Sequence, residues 1–137
     1  MFENINEVAI LVSAIFAVAL GNIWYSPMLF GNTWAKITGG QPTGNQEDSK
    51  ELFYTAVKGI LVYIVVFFIL SKFISTGNEN GTISQFGFLC TLIVFLWAHI
   101  LTPVIWEKKP FSYFLLHAGY FAIALLGGFG IISYWPW

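Results

Sequence analysis

Charge is what this sequence has least of. Only 9% of its 137 residues are charged, and its cations are six lysines with no arginine. Soluble domains carry about 25% charged residues, and nucleic-acid binding requires clustered cations that neutralise phosphates. The composition therefore excludes an ordinary soluble domain and predicts no nucleic-acid partner.

Cysteine and catalytic motifs are scarce as well. The single cysteine, Cys90, lies in an apolar run and has no second cysteine with which to form a disulfide. We interpret it as a small buried apolar residue. The sequence contains no glycine loop for phosphate, no nucleophile elbow and no HExxH zinc motif. We therefore expect no cofactor, no metal site, no catalytic residue and no enzymatic activity.

Long apolar segments dominate instead, with 57% hydrophobic residues and a mean hydropathy of +0.72. Four segments, at residues 5–25, 52–74, 83–105 and 111–134, are long enough at ~1.5 Å per residue to cross a hydrocarbon core of about 30 Å. The leader carries Glu3 and Glu7 rather than the cations of a signal peptide, so we expect the first segment to be retained. The sequence predicts an all-α protein of the lipid bilayer, with four transmembrane helices in an up-and-down bundle that forms one domain over residues 1–137.

The connections between these segments are polar or interrupted by proline. Ser26-Pro27 ends the first helix, because proline disfavours helical geometry in the residue before it. Phe30, Trp34 and Ile37 then recur at helical spacing, which is typical of a short interfacial helix, although an irregular loop anchored by aromatic residues remains an alternative. These residues begin a predicted loop over residues 26–51, and residues 75–82 are predicted to form a second, shorter loop.

Small residues recur along two of the predicted helices. Ser13, Ala17 and Gly21 follow one another at four-residue spacing on the first helix, and several glycines lie near the end of the fourth. Stripes of small residues let helices approach closely where lipid removes the hydrophobic drive. We expect these stripes to offer contact surfaces for a second copy of the chain or for another membrane protein.

The lysines are distributed unequally about the membrane. Only Lys72 lies on one side of the membrane. The other five lie on the opposite side, beside the connections between helices one and two and between helices three and four: Lys36, Lys50, Lys58, Lys108 and Lys109. Cytoplasmic loops carry an excess of lysine and arginine. The expected location is the bacterial inner (plasma) membrane, with loop 26–51 in the cytoplasm and both termini outside.

The segments GNIWYSPMLFGNTW (residues 21–34) and WEKKPFSYFLLHAGY (residues 106–120) carry a resemblance. Together with the glycine-rich end of helix four, they resemble the family of small four-helix membrane proteins catalogued as domain of unknown function 1761. The most specific matching positions are Gly21, Trp24, Tyr25, Ser26, Pro27, Phe30, Gly31 and Trp34, and a less specific part runs from His117 to Tyr120. Asn22 departs from the family's small or apolar residue. The resemblance implies a fold and a membrane location, but no activity.

Antiparallel helices bring several polar residues to one depth near the cytoplasmic side. This predicted polar layer consists of Asn22, Tyr25, Lys58, His99, Thr102, Glu107, His117 and Tyr120. Polar and ionisable residues inside a membrane are costly and usually face the bundle interior or a cavity, which makes them candidates for function. The interpretation that we favour is packing, in which the histidines bond each other, a carbonyl or Tyr120 across helices.

Other roles for these residues define the alternatives. His99 and His117 suit a proton relay or a solute contact, because histidine titrates near ~6.5; as metal ligands they are weak, since no cysteine or carboxylate pair lies near them. The leading hypothesis is a non-enzymatic packing or partner-binding bundle that self-associates. The alternative is a small transporter or channel-like permease whose His/Tyr/Asn layer handles a proton or small solute. An intramembrane enzyme is the least favoured hypothesis.

Overall fold

Five helices make up the part of the chain that the structure, a computed structural model, describes: residues 6–40, 49–80 and 85–136. In chain order they are α1 (Glu7–Trp24), α2 (Gly31–Thr38), α3 (Ser49–Asn80), α4 (Gln85–Trp106) and α5 (Phe111–Ser133). All except α2 contain a stretch that is long and apolar enough to cross a membrane. The predicted all-α fold with four such helices is confirmed.

The ends of α1 and α2 follow from local chemistry. Asn6 caps α1, its side-chain oxygen accepting a hydrogen bond from the backbone N–H of Ala9 at 2.9 Å. The short helix expected after Ser26-Pro27 is present as α2. It ends at Gly39, whose φ of 73° lies in the left-handed region that glycine adopts without strain.

Both predicted ends of α3, residues 52 and 74, are wrong. The helix begins at Ser49, inside the predicted loop 26–51. We expected a loop over residues 75–82, but α3 continues to Asn80. Glycine and asparagine have low helix propensity, yet extending a helix that is already formed adds one hydrogen bond for each residue ordered. The loop residues therefore continue the helix. Residues 81–82 of this predicted loop and residues 41–48 of the predicted loop 26–51 lie outside the described residues.

The core is formed where α1 packs against α3 and α5. Ala9, Ala14 and Ala17 of α1 are fully buried, and Phe67 of α3 fills the space beside them with no exposed surface. Ser13 is buried as well, and its hydroxyl lies 2.8 Å from the carbonyl of Ala9 and 3.3 Å from that of Gly128 on α5. α1 and α5 are therefore the two central helices.

The small-residue stripes are used inside the monomer. Ser13 and Ala17 are fully buried, and Gly21 lies against Tyr120. On α5, Gly127 lies against Phe16 and Gly128 against Phe67. The expectation that these stripes offer surfaces to another molecule is wrong for these residues, because close packing between α1, α3 and α5 consumes them.

The outer helices α3 and α4 bury much less of their surface. α4 packs mainly on α5 and more lightly on α3, where the rings of Phe73 and Phe88 stack with their centroids 3.8 Å apart. Large apolar side chains such as Val62 on α3 and Phe95 on α4 are mostly exposed. These surfaces remain available for lipid or for another protein.

Candidate functional site

Four side chains form one polar group between α1, α3 and α5: Tyr25, Tyr63, His117 and Tyr120. We call this group the tyrosine–histidine cluster. Tyr25 is the residue that ends α1, Tyr63 lies in the apolar part of α3, and His117 and Tyr120 lie on one side of α5 at three-residue spacing. Their side chains are buried or half-buried.

Tyr25 and His117 form the first half of the cluster. The Tyr25 hydroxyl lies 2.7 Å from Nδ1 of His117. A tyrosine hydroxyl has an ordinary pKa of ~10, so it keeps its proton at neutral pH. We assign it as the donor and Nδ1 as the acceptor, which places the proton of the neutral ring on Nε2.

Tyr120 joins three helices in the second half. Its hydroxyl accepts a hydrogen bond from the hydroxyl of Tyr63 on α3 at 2.8 Å and donates one to the carbonyl of Ala17 on α1 at 2.9 Å. Gly21 makes this approach possible, because a Cβ there would lie only 3.0 Å from the Tyr120 oxygen. The ring of Tyr25 meets that of Tyr120 edge-on at 5.5 Å, which connects the two halves.

Two tryptophans hold α5 on either side of the cluster. Trp24 of α1 donates its indole N–H to the carbonyl of Leu116 at 3.1 Å. Trp97 of α4 donates to the carbonyl of Ala118 at 3.2 Å. In a membrane interior, backbone carbonyls that accept such additional bonds give helices a polar contact that lipid does not supply. These bonds fix α5 between α1 and α4.

The residues that carry the family resemblance form the turn that covers this site. Gly31 donates its N–H to the carbonyl of Ser26 at 2.8 Å, and a Cβ at Gly31 would collide with the backbone of Tyr25 and Ser26. The ring of Phe30 packs on that of Trp24 at 4.7 Å, and the ring of Trp34 meets that of Tyr25 at 6.0 Å. The motif thus fastens α2 to the end of α1.

Three of the eight residues of the predicted polar layer belong to the cluster: Tyr25, His117 and Tyr120. The other five do not belong to the cluster and have exposed side chains: Asn22, Lys58, His99, Thr102 and Glu107. The Thr102 hydroxyl bonds to the carbonyl of Ala98 in its own helix at 3.4 Å. Among the residues that the structure describes, no three histidine, cysteine or acidic side chains approach closely enough to hold a metal.

Sequence reasoning missed Tyr63 and the two indole bonds. Tyr63 is the one residue with a polar group in the run GILVYIVVFFIL, residues 59–70, and that contrast is a usable signal. A hydroxyl in an apolar membrane helix favours a partner on another helix. The indole of Trp24 gave no such signal, because tryptophan near a helix end is also an ordinary interfacial anchor. Trp97 lies in the middle of α4, where an indole N–H favours a hydrogen-bond partner, and this signal was missed.

Comparison with known proteins identifies a family. A family model described as "Protein of unknown function (DUF1761)" matches residues 8–133, which is nearly the whole chain. No curated protein and no solved structure matches the chain.

Proposed function

Because this chain belongs to the DUF1761 family, whose function is unknown, its role has to be argued from its own residues, and we propose that it is a non-enzymatic membrane protein that self-associates and binds partners. One observation carries the non-enzymatic part. All three tyrosine hydroxyls of the tyrosine–histidine cluster are engaged with another cluster residue or with a backbone carbonyl across a helix interface. Hydrogen bonds of this kind between helices favour a role in stabilising the bundle.

The exposed surfaces favour a role in association. α1 and α5 bury more of their spans inside the bundle than α3 and α4 do, and α3 and α4 expose large apolar side chains such as Val62 and Phe95. These exposed apolar side chains of α3 and α4 provide surface for a second membrane protein. This surface, and not the small-residue stripe of α1, supports partner binding.

Transport through the predicted polar layer is the alternative that this arrangement favours less. A solute path requires polar groups from several helices that converge on water. His99, Lys58 and Asn22 do not belong to the cluster, so the convergence is limited to residues that already bond to each other. Evidence for transport would overturn the proposal.

The proposed location is the bacterial inner membrane, with the cluster end of the bundle in the cytoplasm and both termini outside. The support is the charge distribution. Lys36 on α2, Lys58 near the start of α3, and Lys108 and Lys109 between α4 and α5 all lie at the end of the bundle that holds the cluster. This end carries the excess of lysine that is typical of the cytoplasmic side.

Thiol labelling tests both the packing role and the orientation. Single cysteines at His117 and Lys36, in a Cys90→Ser background, are treated with a small charged thiol reagent from either side of the membrane. We expect Lys36→Cys to react from the cytoplasmic side only. His117→Cys should resist labelling to the same extent as Ala124→Cys, a buried control. Reaction at His117→Cys from an aqueous side would overturn the packing role in favour of transport, and reaction at Lys36→Cys from outside would overturn the orientation.

Self-association is tested in liposomes. The protein, labelled with donor or acceptor dye at Lys36→Cys, is reconstituted at increasing ratios of protein to lipid. We expect energy transfer between copies to rise with that ratio beyond the level expected for random proximity. A random level at every ratio would overturn self-association.

A further inference from the structure

His99 occupies a costly position in the monomer. It lies on α4, seven residues before Trp106, where the helix ends; at ~1.5 Å per residue this is about 10 Å inside the end of the span. Its side chain is exposed, so a monomer would present an ionisable ring to hydrocarbon. Long lysine and arginine side chains reach the interface from such depths, but the imidazole is too short to do so.

The surface around His99 is suited to a helix. Exposed residues recur along α4 at three- and four-residue spacing and form what we call the outer face of α4: Val94, Phe95, Ala98, His99, Thr102 and Ile105. Ala98 and Thr102 are small and four residues apart, so a facing helix can approach closely beside His99. A helix in this position removes the imidazole from lipid.

We propose that a second copy of this chain packs on the outer face of α4, with His99 of each copy bonded to Thr102 of the other. This inference rests on the self-association proposed above. Copies inserted in the same direction are related by a two-fold axis along the membrane normal, and such an axis places identical faces together at one depth. His99 thereby meets polar groups at its own depth without any other protein.

Hydrogen-bonding capacity also suits a second copy. The Thr102 hydroxyl donates to Ala98 in its own helix, which leaves its oxygen able to accept. A neutral imidazole has one N–H to donate, and the two-fold axis makes the His99–Thr102 contact occur twice. The contact is therefore reciprocal and self-complementary.

The outer face of α3 provides the contrast. Its exposed residues over the middle of the span are wholly apolar, and include Leu61, Val62, Val65 and Ile69. Lipid satisfies such a face without a protein partner. The polar group that needs a partner therefore lies on α4, and this selects the α4 face.

Disulfide trapping in liposomes tests which face is used. Single cysteines at Ala98, on the outer face of α4, and at Val62, on the outer face of α3, are oxidised in a Cys90→Ser background. A disulfide requires the two Cα atoms to come within about 7 Å. We expect a covalent dimer at Ala98→Cys and little at Val62→Cys. Energy transfer between copies without trapping at Ala98→Cys would overturn the α4 face while self-association stands; random energy transfer would overturn both.

Substitution of His99 tests the polar contact itself. His99→Leu removes both copies of the contact, so we expect it to weaken dimerisation about 7- to 300-fold, the range implied by two interhelical polar contacts in membranes, and we expect His99→Gln to restore part of the affinity. Because the His99 side chain is exposed, both variants should keep the fold, which circular dichroism and the unfolding midpoint check. Dimerisation of His99→Leu as tight as that of the wild type would overturn the inference.

Discussion

Tyr120 is the residue at which a single atom affects three helices. Its hydroxyl oxygen accepts from Tyr63 and donates to Ala17, so Tyr120→Phe removes two interhelical hydrogen bonds while keeping the ring. Hydrogen bonds between membrane helices are worth about 0.6 kcal/mol on average and up to about 1.7. We therefore expect Tyr120→Phe to lower the free energy of unfolding by about 1 to 3 kcal/mol.

The neighbouring tyrosine makes the prediction sharper. Tyr63→Phe removes only the bond between the two hydroxyls, so it should cost about half as much as Tyr120→Phe. In a Tyr120→Phe background that bond is already absent. The second substitution should then cost nothing, or stabilise slightly by removing a hydroxyl that has lost its acceptor. The two substitutions should therefore be strongly non-additive.

The assay is reversible unfolding in mixed micelles of increasing denaturing detergent, followed by circular dichroism. Tyr54→Phe is the matched control, because Tyr54 lies on the same helix as Tyr63 but is 62% exposed, and its loss should be neutral. Costs of Tyr63→Phe and Tyr120→Phe that simply add in the double variant would refute the bonding scheme. So would a cost of Tyr120→Phe no greater than that of Tyr54→Phe.

Four further substitutions test the contacts that hold the helices together. Gly128→Ala should destabilise by about 1 to 3 kcal/mol, because its Cβ would overlap the ring of Phe67. Gly130→Ala is the control, because a Cβ there has nothing within 4 Å, and it should be neutral or stabilise by up to about 1 kcal/mol. The unfolding midpoints of the two variants test this difference. Gly31→Ala should detach α2, because its Cβ would collide with backbone, and faster proteolysis after Lys36 would report this; unchanged cleavage would contradict it. Trp24→Phe should cost about 1 kcal/mol through its lost indole bond, and an unchanged unfolding midpoint would count against that bond.

The number and lengths of the helices were predictable from sequence because lipid imposes them. A chain that crosses a membrane must satisfy its backbone groups within each segment, so every long apolar run has to be a helix. The predicted first and fourth segments differ from α1 and α5 by at most two residues at either end. The end of α3 was harder to predict, because there polar residues extend a helix beyond its apolar part.

The depth of the candidate residues in the bundle also follows from sequence, but the direction in which each side chain points from its helix does not. Counting residues placed His99 and His117 near the same end of the bundle, and both lie there. His117 meets Tyr25 across the α1–α5 interface, whereas His99 is exposed on α4. Helical periodicity gave no guide, since the spans are apolar on every side.

The sequence by itself determined that this is an all-α chain with four apolar helices, and at what depth each polar residue lies. Both follow from one-dimensional quantities, namely hydropathy and the rise of about 1.5 Å per residue. Only the tertiary structure decided that Tyr25, Tyr63, His117 and Tyr120 meet while His99 is left outside. The reason is that the rotation of each helix about its axis is set by the fit of side chains between helices, such as Phe67 against Gly128, and this fit depends on contacts far apart in the chain.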